Sequence, residues 1–290
     1  MIKPGNIQHL LDTALELAVP VESVRLAMGG SINESYQITL TDQREIFVKT
    51  HRKKSIPGMY AAEFKALKLL SRTRTLTVPK PLYQDEDFLV MEAFREGAPA
   101  VDWQEQMGRG LASLHHNTRQ SQYGFDMESY LGTFKQSNPW QGDWIGFWRD
   151  RRMDPQLTLL KQLLSVKDPL LKATDNLMAQ LDKVLACDPE PAVLLHGDLW
   201  PGNAAANQKG EPVIFDPASY YGQREAEFGM MRMFGGFGQP CEAAYQEIWP
   251  FVPGYDRRIA VYQLYHQLNH LNLFGSSYYD TCLSTIRFIL

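Results

Sequence analysis

The sequence predicts an α+β protein of two lobes, a small sheet carrying one helix followed by a larger, mainly helical part. Three observations predict it. Strand-type alternation of apolar and polar residues concentrates before about residue 94, and helical spacing dominates after it. Strands nowhere alternate regularly with helices, as a doubly wound sheet or a β/α barrel would require. The 290 residues suit two domains of about 150 residues or one large two-lobed unit. The lobes are expected at residues 1–94 and 95–290.

Taken in order, Ile7, Leu10, Leu11, Ala14, Leu15 and Ala18 recur at helical spacing, so the chain opens with an amphipathic helix. Tyr36, Ile38 and Leu40 alternate as a strand, Thr41-Asp42-Gln43 supplies a turn, and Glu45 to Thr50 resumes as a second strand. A helix from Gly58 to Ser71 carries Met59, Glu63, Leu67 and Leu70 on one stripe. Val78-Pro79-Lys80-Pro81 reads as extended, Phe88–Met91 as a short strand, and Glu92–Pro99 as a linker. Beyond it, Asp102 caps a helix with Glu105 three residues on, lined by Trp103, Met107, Leu111 and Leu114. Trp140, Trp144, Phe147 or Trp148, and Arg151 predict an aromatic-faced helix, and Leu177, Leu181 and Val184 another. Ala192–Leu195 and Pro212–Phe215 read as buried strands. Tyr262, Leu264, Leu268 and Leu271 belong to a last long helix that stops near Gly275.

Composition excludes several classes. Hydrophobic residues make up 44% and charged residues 21%, which rules out a disordered or fibrous chain. The formal net charge of −4 and a pI near 6.0 argue against nucleic acid or an anionic membrane as partner. No stretch approaches 18 apolar residues and no signal peptide is apparent, so a cytoplasmic protein off the membrane is expected. Cys187, Cys241 and Cys282 are an odd, widely spaced set, read as three buried free thiols.

The chemistry concentrates in His196-Gly197-Asp198-Leu199-Trp200-Pro201-Gly202-Asn203 and Val213-Ile214-Phe215-Asp216. Phosphoryl transfer needs a carboxylate to take the proton of an attacking hydroxyl, and oxygen ligands to hold Mg²⁺ against nucleotide phosphates. Asp198, with Asn203 five residues on and Asp216 eighteen residues on at a strand end, supplies all three. His196 is read as holding the loop rather than doing chemistry. Upstream, Lys49 ends a strand, and Glu63 falls on the apolar stripe of its helix, where an unpaired carboxylate would be costly. The two are expected to pair, leaving Lys49 facing the phosphates of ATP. Met28-Gly29-Gly30-Ser31-Ile32-Asn33 either turns a hairpin or lays backbone amides over phosphates. Met91-Glu92-Ala93-Phe94 joins the lobes, where adenine would meet the backbone of an extended hinge.

These segments resemble the protein-kinase-like superfamily, and within it the fructosamine kinase (ketosamine-3-kinase) family, related to aminoglycoside and choline kinases. The resemblance rests on GGSINESYQI, FVKT, the Glu63 helix, FLVME, LASLHH, YGF, HGDLWPGN, IFDPASYYGQRE and VYQLYHQLNHLNLFG, in order over nearly the whole chain. It implies a protein-kinase-like two-lobed fold with an N-terminal ATP-binding lobe. It implies Asp198 as catalytic base, Asn203 and Asp216 on Mg²⁺, Lys49 on phosphates and Glu63 orienting it. Gly29, Gly30, Ser31, Met91, Glu92 and Phe94 complete the expected ATP site. The implied activity is ATP-dependent phosphorylation of a ketoamine, small or protein-bound, at sugar O3, after which the sugar is lost and the amine repaired. Another small-molecule kinase of the superfamily is the alternative, and a nucleotide-binding pseudokinase a more distant one, since Lys49, Asp198, Asn203 and Asp216 are all present. The substrate is expected on Trp200, Arg152, Tyr221 and Arg224. Trp140, Trp144 and Trp148 are either further stacking faces or core. Three positions depart from the family pattern: Pro201 for a usual Ser, and Gln223 and Glu227 for usual Asp residues. A monomer is expected.

Overall fold

The computed structural model describes residues 8, 10–12, 19–27, 33–52 and 54–290. Of the opening helix, residues 8 and 10–12 are helical, and the rest of that expectation lies outside the described residues.

The N-terminal half of the fold is one antiparallel sheet of five strands: β1 (Val21–Ala27), β2 (Asn33–Leu40), β3 (Glu45–His51), β4 (Pro81–Gln84) and β5 (Phe88–Glu92). Their order is β1-β2-β3-β5-β4, so β3 is central. Period-two alternation divides β3 between two environments. Ile46 and Val48 bury with Ile38, Leu40 and Val90 on one face. Phe47 and Lys49 face the other way, where Met59, Tyr60 and Leu67 of the helix Met59–Thr73 pack against Leu89 and Met91. Sequence periodicity missed β1 and β4. Each is half-buried and lacks a clean apolar alternation.

The remainder is mainly helical. The helix Tyr255–Phe274 runs through the largest apolar cluster and packs against Glu225–Met233, Tyr279–Ile289 and Asp154–Leu163. Its predicted stop at Gly275 is correct, but it is not the last helix, because Tyr279–Ile289 follows. The helix Trp103–Asn117 starts where predicted, with Asp102 at the cap position. The Asp102 carboxylate accepts from the Gln106 side chain at 2.8 Å instead of capping a backbone amide. The aromatic helix begins at Trp144, after an Asp143 cap, and excludes Trp140. Trp144 and Trp148 are buried core residues that pack on Tyr262, which removes them as stacking faces for a ligand.

Short antiparallel pairs bring the chemistry-bearing loops together: Val193–Leu195 with Tyr220–Gly222, and Ala204–Ala206 with Pro212–Ile214. Cys241 and Cys282 are buried free thiols, whereas Cys187 is only half-buried and accepts a hydrogen bond from Gln223. No helix among the described residues is long and apolar enough to cross a membrane.

Candidate active site

The loop after Val193–Leu195 is held from below. Gly197 has φ +82°, and a Cβ there would lie 2.4 Å from the Ala218 carbonyl oxygen, so only glycine lets the two loops approach. The Glu227 carboxylate accepts the His196 N–H at 2.6 Å and the Gly197 N–H at 3.0 Å. Burial pushes that carboxyl up, and the neighbouring His115 and His196 rings and the Gly197 amide more than reverse it, so Glu227 stays ionised. His196 is buried and structural, as expected. Its Nε2 faces the Phe215 carbonyl at 2.9 Å, which can only accept, so Nε2 carries the proton. Nδ1 then accepts the Asp198 N–H at 3.3 Å. Burial lowers the pKa of this imidazole and keeps it neutral.

That scaffold aims Asp198. The Asn203 amide nitrogen donates to the Asp198 carbonyl at 2.8 Å and to its carboxylate at 3.2 Å, and reaches the Asp216 carbonyl at 3.4 Å. Burial raises the Asp198 pKa well above the usual carboxylate range; the Asp216 charge adds to this and the Asn203 hydrogen bond opposes it. A carboxylate of raised basicity suits proton abstraction from a hydroxyl. Asp216 adopts a left-handed backbone, φ 59°, uncommon for a residue with a Cβ and of the kind that clusters at active sites.

From the sheet side, Lys49 Nζ donates to Glu63 Oε1 at 2.5 Å and also to Asp216 Oδ1. One buried ammonium thus ties the sheet, the Glu63 helix and the Asp216 loop into one unit. Burial alone would lower its pKa, and the Asp216 and Glu63 charges outweigh that and raise it. Burial pulls Glu63 the other way, upward, against the Lys49 charge. Lys49→Ala and Glu63→Gln are expected to be non-additive in kcat/KM. The coupling should be about 0.5–3 kcal/mol, because either change breaks the same pair. Simple addition of the two losses, measured in a double-mutant cycle, would remove the pair from the mechanism.

These groups line one cleft of about 1530 Å³ between sheet and helices, shared by Met91, Glu92 and Phe94 of the connecting segment and by Trp200. Phe94 meets Phe215 at 5.8 Å. Gly29, Gly30 and Ser31 lie outside the described residues.

Three predicted substrate residues do not reach the cleft. Arg224 is 1% exposed and is spent on structure: it pairs with Glu190 at 2.8 Å, donates to the Trp249 and Pro250 carbonyls, and lies over the Trp249 ring. Arg152 is fully buried, donates to the Ser137 carbonyl and to Asn138 Oδ1, and covers the Phe147 and Tyr220 rings. Tyr221 sits in an antiparallel bridge to Gly124 and packs on Phe125 and Trp140. Sequence reading also missed two features. Glu227 holds the His196–Asn203 loop; its signal was an acid among Ala226, Phe228, Met230 and Met231, the same buried-charge argument that located Glu63. The second is a cleft wall from the helices, including Phe234, His266, Asn269 and His270, which looked like ordinary helix packing.

The profile of the fructosamine kinase family matches residues 5–290. The chain is 38% identical over 290 residues to the "Probable ketoamine kinase" of Vibrio parahaemolyticus, covering 98% of this chain and 97% of that one. It is 38% identical over 278 residues to the chloroplastic protein-ribulosamine 3-kinase of Oryza sativa subsp. japonica, covering 93% and 79%. A crystal structure of a fructosamine-3-kinase candidate from Thermobifida fusca superposes with a TM-score of 0.88 at 28% identity, covering 97% of each chain. The overall architecture is that of the two-lobed, protein-kinase-like phosphotransferases.

Proposed function

The chain belongs to the fructosamine kinase family, and from that premise we propose that it transfers the γ-phosphoryl group of ATP to the O3 hydroxyl of a ketoamine. The observation that carries the reading is the convergence of Lys49, Glu63, Asp198, Asn203 and Asp216 at one cleft from four separate stretches of chain. Residues 1–94 supply the nucleotide side of that cleft and the helical part the acceptor side. In the step itself, the substrate oxygen attacks the γ-phosphorus, the bond to the β–γ bridging oxygen breaks, and ADP leaves. Asp198 takes the hydroxyl proton. Lys49, held by Glu63, meets the phosphate oxygens.

The donor set fits Mg²⁺. Asn203 spends its amide nitrogen on Asp198 and Asp216, which leaves Oδ1 for a cation, and the half-exposed Asp216 carboxylate faces the cleft. No cluster of three or more His, Cys, Asp or Glu occurs among the described residues. A phosphate-bridging Mg²⁺ needs only one or two protein carboxylates, its other ligands being phosphates and water. Bound there, Mg²⁺ would neutralise charge on the β- and γ-phosphates. At the connecting segment the Glu92 and Ala93 amides are spent on the Lys80 and Glu45 carbonyls, so a backbone N–H donor for adenine comes from Phe94 onward.

Trp200 is the residue suited to the sugar. It lines the cleft two residues after the base, and a Cβ at Gly202 would fall 2.2 Å from its ring, so the glycine makes room for the indole. Trp200→Ala should lower kcat/KM for a ketoamine roughly 10–100-fold with little change in melting temperature or ATP affinity. If all three deteriorate together, the indole only packs the loop. The function itself is tested by ADP release with synthetic fructosamines, ribulosamines, aminoglycosides and choline, and by NMR of the product. Turnover confined to aminoglycosides or choline would overturn it.

A further inference from the structure

The catalytic groups account for the sugar hydroxyl of a ketoamine and leave its nitrogen unaddressed. A ketoamine carries that nitrogen on C1, two carbons from the phosphorylated C3, as a secondary amine whose protonated form has two N–H donors. A seat for it must offer an acceptor and a cation-tolerant wall, beside Trp200 and in the same cleft.

His270 meets both conditions. It lies on the helix Tyr255–Phe274 and lines the cleft. Its Nδ1 is 2.8 Å from the His266 carbonyl oxygen. A carbonyl only accepts, so Nδ1 must carry the hydrogen. Burial lowers the pKa of the ring, against the opposing effect of that backbone bond, so the imidazole is neutral and Nε2 holds a lone pair. Nε2 has no partner among the described residues and is not one of the buried, unpartnered side-chain atoms, so it is open to a ligand.

Aromatic rings surround it. Phe234, Phe274 and Tyr278 stand 5.3, 5.4 and 5.1 Å from the His270 ring, and all three line the cleft. Phe234 is 42% and Phe274 54% exposed, a large apolar surface to leave open without a ligand. Ring faces attract an ammonium, and the neighbouring cleft residues of this helix include no lysine or arginine to repel one. The strip is also continuous with the reacting centre. Trp200 meets Phe234 at 5.3 Å, and Phe234 in turn meets His270.

We propose that this aromatic pocket is the seat of the substrate's amine half, with His270 Nε2 accepting a hydrogen bond from the protonated nitrogen. The inference rests on the ketoamine reading above and names the part of that substrate which sets its selectivity. A sugar alone, or a sugar ether of the same shape, would lack the donor.

The test compares N-propyl fructosamine with 1-O-propyl fructose, in which oxygen replaces the nitrogen, as acceptors for the full chain. Wild type should prefer the amine. His270→Phe keeps a ring and removes the acceptor, and His270→Leu repeats the test should the phenyl ring lower the melting temperature. Either should shrink the amine-over-ether ratio of kcat/KM by roughly 10–100-fold, mainly through KM, as expected for loss of a charge-assisted hydrogen bond. His270→Gln, which restores an acceptor, should recover most of the ratio. Equal losses for both compounds, or no preference in wild type, would overturn the amine seat. If wild type phosphorylates neither compound, the ketoamine reading itself falls, a result visible before any variant is made.

Discussion

Asp198→Asn is expected to lose about 10²–10⁴-fold in kcat, the range for removing a general base, while Mg²⁺-ATP still binds. Asparagine keeps the shape of the side chain and its neighbours but cannot accept the hydroxyl proton. The effect should be confined to the chemical step, because the loop is held by groups other than the Asp198 carboxylate. His196 and Gly197 hang from Glu227 by their amides, and the Asn203 amide is anchored to the Asp198 backbone carbonyl as well as to its side chain. Steady-state turnover and calorimetric ATP affinity on the one variant decide the matter. A kcat within a few-fold of wild type would show that another group takes the proton.

Arg224→Ala is expected to act on stability instead of on substrate binding. Removing the guanidinium leaves Glu190, nearly buried, without its cation, and strips the donors from the Trp249 and Pro250 carbonyls. Breaking a buried pair in this way costs about 3–5 kcal/mol. Thermal denaturation should therefore show a large fall in melting temperature, with KM for a ketoamine nearly unchanged in the fraction that remains folded at low temperature. A raised KM at an unchanged melting temperature would restore Arg224 to the substrate site. Gln223, a departure from the family pattern, belongs to the same structural belt. It hydrogen-bonds the Tyr262 hydroxyl and the Cys187 thiol, and so lies apart from the chemistry.

The groups proposed for phosphoryl transfer were legible in the sequence because their signals are local. Lys49 stands on a strand whose alternation sends it to the face opposite Val48, and Glu63 stands on an apolar helical stripe where a carboxylate needs a cation. The spacing of Asp198, Asn203 and Asp216 follows from two short strands that each end in a loop. Period and spacing also sufficed for β2, β3, β5 and the helix Met59–Thr73. They failed for β1 and β4 at the sheet edges, where one-sided burial leaves a weak pattern.

By itself, then, the sequence determined the order of the two parts, the spacing of Asp198, Asn203 and Asp216, and the Lys49–Glu63 pair. Tertiary structure alone decided which remaining polar side chains face the cleft. Arg224 lies 34 residues after Glu190, and no local pattern tells whether the two will meet. Once folding brings that carboxylate to the guanidinium, the charge is neutralised inside the protein and is lost to substrate. His270 shows the converse. On the sequence it is one of several polar residues in a helix that also carries His266, Gln267, Asn269 and Asn272. Only the packing of Phe234, Phe274 and Tyr278 around it, and the His266 carbonyl that takes its Nδ1 proton, turn its Nε2 toward the open cleft. A polar side chain is open to a ligand only where the fold leaves one of its donors or acceptors unspent. That balance is set by contacts across the whole chain.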